Sequence, residues 1–236
     1  EIFFGPQSFT DRGIPVSAML DGILGALDEA SGPDFSAGLL VSVHRHRTEE
    51  AAFEVLRAID PWRDRIAGIG MGGAEVGNPP SKFARFYAAC RDAGFRTSVH
   101  AGEEGPPAYV REAIELLRVD RIDHGVAAGS DPALMAELAR LGTPLTVCPL
   151  SNARLKVTPD LAAHPLPTLL QSGVRVTVNS DDPPYFGGWV TENLVACHRE
   201  MRMSAEDILV LVRNGFVAAF VSEERRAAML GRFEEY

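Results

Sequence analysis

The chain has 236 residues, 46% apolar and 23% charged, so it can bury a sizeable core as an ordinary globular protein. Its net charge of −9 argues against nucleic acid as a partner, because a phosphate-binding face needs clustered Lys and Arg. Cys90, Cys148 and Cys197 are few and odd in number, which fits a reducing, cytoplasmic compartment better than a disulfide framework, and no run reads as a membrane span or a signal peptide.

Ile2 to Phe4 reads as a strand closed by Gly5-Pro6. The chain begins inside that strand, at Glu1, and we expect a segment upstream of it. Residues 15–30 read as a helix with Pro15 in its first turn and Met19, Ile23, Leu24 and Leu27 on one face. A strand is expected at 38–43, then a helix capped by Thr48 and running to about 59. A strand at 66–71 ends in Gly72-Gly73, and Ser81 is expected to cap a helix to about 91. Further strands are expected at 95–99, 121–123, 145–148 and 174–178. Helices at 107–117, 131–141 (capped by Asp131) and 166–172 lie between them. From Trp189 onward the chain reads as helical, at 189–201, 205–212 and 223–233.

Uninterrupted alternation of strand and helix implies parallel strands joined by crossover helices. No linker divides the series, so residues 1–236 are assigned to one domain. An open dinucleotide-binding sheet should show Gly-x-Gly-x-x-Gly after its first strand, and none occurs there. The reading is an α/β fold, a (β/α)8 barrel of the TIM type whose first strand is missing from this chain.

Candidate active residues gather at the strand ends, where such a barrel builds its site. His100 and Glu103 follow one strand, Asp123-His124-Gly125 the next, Cys148-Pro149-Leu150-Ser151-Asn152 the third and Ser180-Asp181-Asp182-Pro183 the last. His100 and Asp181 suit a zinc site of nitrogen and oxygen ligands. Glu103 is placed to give a proton to a substrate nitrogen, and His124 to orient and deprotonate a water that zinc makes acidic. Asp182 follows a ligand and is available to accept a hydrogen bond from the substrate. Each residue alone has an ordinary explanation: a hydrogen-bonded histidine, a turn cap, or a helix start at Asp182-Pro183. Their coincidence at successive strand ends favours a metal-dependent hydrolytic site. His44-Arg45-His46 is a weaker metal candidate. His44 and His46 share one side of a strand, but they read more simply as polar residues near the rim.

These four motifs, in this order and over essentially the whole chain, resemble the adenosine and adenine deaminase family of metal-dependent hydrolases. The resemblance implies a TIM barrel with one zinc ion and hydrolytic deamination of an aminopurine at its six position. It implies His100 and Asp181 as zinc ligands, Glu103 as proton donor to the ring nitrogen, and His124 as the residue assisting the water. Asp182 would bond the five-membered ring, and Gly73 would offer its backbone N–H to the base. The stretches at 75–80, 103–107 and 182–188 look more like adenine deaminases than adenosine deaminases, so the expected substrate is adenine, with a homo-oligomer possible. Phe9 departs from the pattern where a histidine is expected, and Met71-Gly72-Gly73 is unusual ahead of Ala74-Glu75. The family's His-x-His pair lies on the strand expected upstream. The alternatives are a deaminase of adenosine or a related nucleoside such as aminodeoxyfutalosine, and an inactive, truncated barrel. A phosphate-handling barrel is disfavoured because Asp181-Asp182 would repel phosphate. Cytidine-type deaminases are excluded because Pro-Cys-x-x-Cys is absent.

Overall fold

Among the described residues seven strands form in chain order, and all pair in parallel. A computed structural model describes residues 1–32 and 34–235. The strands are β1 Ile2–Phe4, β2 Leu39–His44, β3 Ile66–Gly72, β4 Ser98–Ala101, β5 Arg121–His124, β6 Leu145–Val147 and β7 Val176–Val178. β1-β2-β3 form one hydrogen-bonded sheet and β4-β5-β6-β7 another, joined by a parallel bridge between Ile69 and Thr97. Spatial order therefore equals sequence order. A doubly wound sheet reverses its order at a switch point; successive staves of a barrel do not, and the expected barrel architecture holds. Among the described residues β1 and β7 each pair on one side only.

β2 to β7 are short runs buried on both faces, as parallel strands wrapped by helices must be, whereas β1 leaves Ile2 and Phe3 exposed. β2 is buried along nearly its whole length, and Leu39, Val41 and Val43 join Ile69, Val99, Ile122, Val147 and Val176 in one core cluster. Helices α1 Gln7–Thr10, α2 Val16–Ala30, α3 Glu49–Ala58, α4 Ala84–Asp92, α5 Pro107–Glu112 and α6 Pro132–Leu141 lie between the earlier strands. They are followed by α7 Pro149–Arg154, α8 Leu166–Gln171, α9 Pro183–Phe186, α10 Val190–Glu200, α11 Ala205–Ala218 and α12 Glu223–Glu234. No helix among the described residues is long and apolar enough to cross a membrane.

The expected caps at Thr48 and Asp131 are present, accepting from the backbone N–H of Ala51 and Leu134. Ser81 is not a cap. It sits in a 3-10 turn, Pro80–Phe83, and α4 starts only after Phe83, whose side chain is fully buried. Pro15 is the N-cap of α2, with extended ψ, rather than a first-turn residue. The helix expected at 107–117 changes to a π-helical turn from Ala113 and ends at Arg118 in left-handed conformation. α11 runs to Ala218, beyond the expected 212. The strand expected at 95–99 is β4, shifted toward its C-terminus, so His100 lies within the ladder and not after it. Ser151 and Asn152, placed after the third of the motif-bearing strand ends, are buried in α7.

Candidate metal centre and active site

Register brings the site together. His100 on β4 pairs with Asp123 on β5, Ala101 pairs with His124, and Asp123 pairs with Thr146 on β6. The ends of neighbouring strands therefore lie side by side, and residues far apart in sequence meet at one rim.

Asp123 is the buried base of this rim. It accepts from Ser98 Oγ and from Thr146 Oγ1 at 2.9 Å, and His100 Nδ1 lies 3.2 Å from its Oδ2. Burial alone would favour its neutral form, but His100, Arg121 and Ser98 hold it well below the usual carboxylate range. Burial also works against a charge on His100. The Asp123 carboxylate overrides it, helped by Glu103 and Asp181, and carries the ring up to about 9. His100 Nδ1 is buried without hydrogen-bond geometry to any partner. A histidine backed by a carboxylate through Nδ1, among further carboxylates, has the donor chemistry of a cation site.

The rings of His100 and His124 are 4.9 Å apart. His124 Nε2 lies 4.0 Å from Asp181 Oδ2, and its Nδ1 lies 3.4 Å from Glu103 Oε1. Burial, reinforced by the charge on His100, lowers His124 to about 3, so it is a neutral imidazole. Glu103 is shifted the other way, to about 7, by burial and by the nearby Asp181, Glu75 and Glu104. A carboxyl that half-holds a proton near neutrality is suited to donate one. Asp181 accepts from Ser151 Oγ at 2.6 Å. Asp182, at the N-cap of α9, is raised by burial and by Asp181. Gly73 stands past the end of β3 at φ +92°, where glycine is favoured, and a Cβ there would come within 3.3 Å of His46 Nδ1.

Ligand atoms of His124, Cys148 and Asp181 lie within 4.8 Å of one another. Burial and the nearby carboxylates raise the Cys148 thiol well above its ordinary value. Only the thiolate is a good metal ligand, so His124 and Asp181 are the stronger donors of these three. His44 and His46 stack on each other at 5.2 Å, and His44 Nε2 contacts Ser8 Oγ. They are rim residues outside that group. Phe9 stacks on Phe4.

Four residues were not found as site components from the sequence. Glu75, 2% exposed, accepts from the backbone N–H of Gly102, Glu103 and Glu104 at 2.5, 3.0 and 2.8 Å, so it holds the loop after β4. Gly105 completes that cradle; a Cβ there would stand 2.7 Å from Glu75 Oε1. Arg45 is fully buried, donates to the carbonyls of His100 and Asn78, and lies 4.0 Å from Glu75. His164 is buried and contacts Asn152. A cavity of about 370 Å³ opens beside Glu103, lined also by Val126, Ala127, Val157, Thr158 and Pro165.

The chain matches the family described as adenosine deaminase over residues 1–236. It is 60% identical to an adenine deaminase of Rhodopseudomonas palustris, covering 100% of this chain and 69% of that protein. Its fold superposes on the crystal structure of an adenine deaminase from Arthrobacter aurescens with a TM-score of 0.94 at 42% identity, covering 99% of this chain and 72% of that one. It also superposes on an amidohydrolase from Burkholderia ambifaria solved with bound zinc, with a TM-score of 0.92 at 31% identity, covering 99% of this chain and 66% of that one.

Proposed function

Because the chain belongs to the adenosine deaminase family, we propose that it hydrolyses adenine to hypoxanthine and ammonia as one metal-dependent barrel domain. The observation that carries this reading is the buried rim where Glu103 Oε1 lies 3.4 Å from His124 Nδ1 and His124 Nε2 lies 4.0 Å from Asp181 Oδ2. The similarity to adenine deaminases at 60% and 42% identity supports adenine as the substrate. Exposed Tyr185, on α9 three residues after its N-cap Asp182, is placed to cover a base at the rim and exclude a ribose.

His100 and Asp181 are the residues we assign to hold zinc. Bound there, zinc would make a water molecule acidic enough to ionise near neutral pH. The protein's own groups do the rest. His124 orients the attacking oxygen. Glu103 gives its proton to N1 of the purine as a C6–O bond forms. The C6–N bond then breaks, and one proton from the water leaves with the amine as ammonia. The other water proton restores Glu103, and the proton gained at N1 stays on hypoxanthine. Asp182 and the Gly73 N–H orient the base.

The test is metal content together with ammonia release from adenine and adenosine. The expected result is about one zinc per chain and a higher kcat/KM for adenine. A higher value for adenosine would overturn the substrate, and no release from either compound would overturn the reaction.

A further inference from the structure

A chain of hydrogen bonds reaches the two catalytic side chains from a buried histidine that the reaction does not use. Its direction follows from donors and acceptors alone. The backbone N–H of Leu166, at the start of α8, can only donate, and it donates to His164 Nδ1 at 3.1 Å. Nδ1 therefore carries no proton. Burial lowers His164 to about 4, so its ring is neutral and its single proton is on Nε2. Nε2 lies 3.3 Å from Asn152 Oδ1. That contact is a bond only if the carboxamide presents its oxygen; the flipped amide would set donor against donor. With the oxygen so placed, Asn152 Nδ2 faces His124 Nδ1 at 3.2 Å and Glu103 Oε1 at 3.5 Å. Its two protons match those two acceptors. Asn152 is fully buried and His164 is 4% exposed, so water does not offer substitutes.

We propose that His164 and Asn152 are positioning residues: His164 fixes the Asn152 carboxamide, which fixes His124 as the Nε2–H tautomer and anchors the Glu103 carboxyl. His124 then presents a donor, not a lone pair, toward Asp181 and the position of the attacking oxygen. It orients and stabilises that oxygen instead of deprotonating it. The inference rests on the roles of Glu103 and His124 in the proposed deamination. A purely structural His164, serving only to bond the first turn of α8, would have no effect on the tautomer of His124.

The experiment is imidazole 15N NMR on the zinc-loaded holoenzyme, with steady-state kinetics for adenine. The chain has six histidines, and His124→Gln identifies the resonance by difference. The wild type should show His124 protonated at Nε2 only. Asn152→Asp replaces the donor with an acceptor, so the proton should move to Nδ1. kcat should fall about 10- to 100-fold, as for other outer contacts of a metal site, with KM changed much less. His164→Gln can still donate and accept one bond each, and should keep the wild-type tautomer and kcat. His164→Phe should lose both. If His164→Phe does not fold, the other two variants decide. An Nδ1–H tautomer in the wild type, or an unchanged tautomer in Asn152→Asp, overturns the proposal. Because the NMR needs no substrate, a protein inactive on adenine would overturn the proposed function while leaving the tautomer result to stand.

Discussion

Removing the Glu75 carboxylate should loosen the loop that carries Glu103. Glu75→Ala leaves the N–H groups of Gly102, Glu103 and Glu104 without their acceptor. Each buried donor left unmade costs about 1–3 kcal/mol. Three of them, with partial relaxation of the loop, give about 3–5 kcal/mol. The same range follows independently from removing one partner of a buried ion pair, here the one with Arg45. For a urea m-value near 2.5 kcal/mol/M, a loss of 4 kcal/mol lowers the unfolding midpoint by about 1.6 M at unchanged m. Glu75→Gln keeps one acceptor oxygen and should lose about half as much. Activity should fall as well, because a displacement of about 1 Å at a reacting group can cost about 100-fold. The assay is urea unfolding followed by fluorescence of Trp62 and Trp189, with kcat measured on the folded fraction. A midpoint within about 0.3 M of wild type for Glu75→Ala would refute the reasoning, since it would mean the three N–H groups find water or other partners at no cost.

Glu103→Gln should retain zinc, because Glu103 is not assigned as a ligand, yet lose about 10²- to 10⁴-fold in kcat for want of a proton donor; metal analysis beside kinetics checks both halves. Asp181→Ala should lower zinc content and activity together, read by titration with a chelator. His164 predicts a pH effect on stability. Its folded value near 4 lies below the ordinary 6.5, so the unfolded chain takes up the proton first as pH falls. Stability contributed by the neutral ring is fully present above 6.5. It is lost as pH falls from 6.5 toward 4, by about 3 kcal/mol for a shift of this size. The wild type minus His164→Gln difference in unfolding free energy should show that slope, and a flat difference would mean the ring is not buried neutral.

The parts of the fold legible in the sequence are those with a local cause. β2, β3 and β6 are predominantly apolar, buried runs, and Thr48 and Asp131 are side chains that cap their own helices. The motif residues His100, Glu103, His124 and Asp181 were legible because each adjoins such a strand end. Glu75, Arg45 and His164 were not, because what makes them matter is a partner 12 to 55 residues away. The 3-10 turn at Pro80–Phe83 was missed for a similar reason. Burial of Phe83 against the core, not the propensity of Ser81, decides where α4 begins.

Backbone strain marks the same residues from a different direction. His124 has φ +62° and Asp181 φ +56°, the left-handed region that costs an L-residue about 1–2 kcal/mol. In a strand, successive side chains point to opposite faces. His100 and Asp123 are register partners and lie on one face, so an extended His124 would point away from both. Its ring is nonetheless 4.9 Å from that of His100. The left-handed turn at the end of β5 swings it back, so that Asp123 and His124 both reach His100. At Asp181 the same conformation follows β7, and Ser151 holds the carboxylate within 4.0 Å of His124 Nε2. Such strain persists only where the surroundings fix it, and it concentrates at functional sites. A glycine at either position would relieve the backbone and remove the side chain. That these positions carry histidine and aspartate instead argues that the rim is shaped for chemistry at some cost to stability.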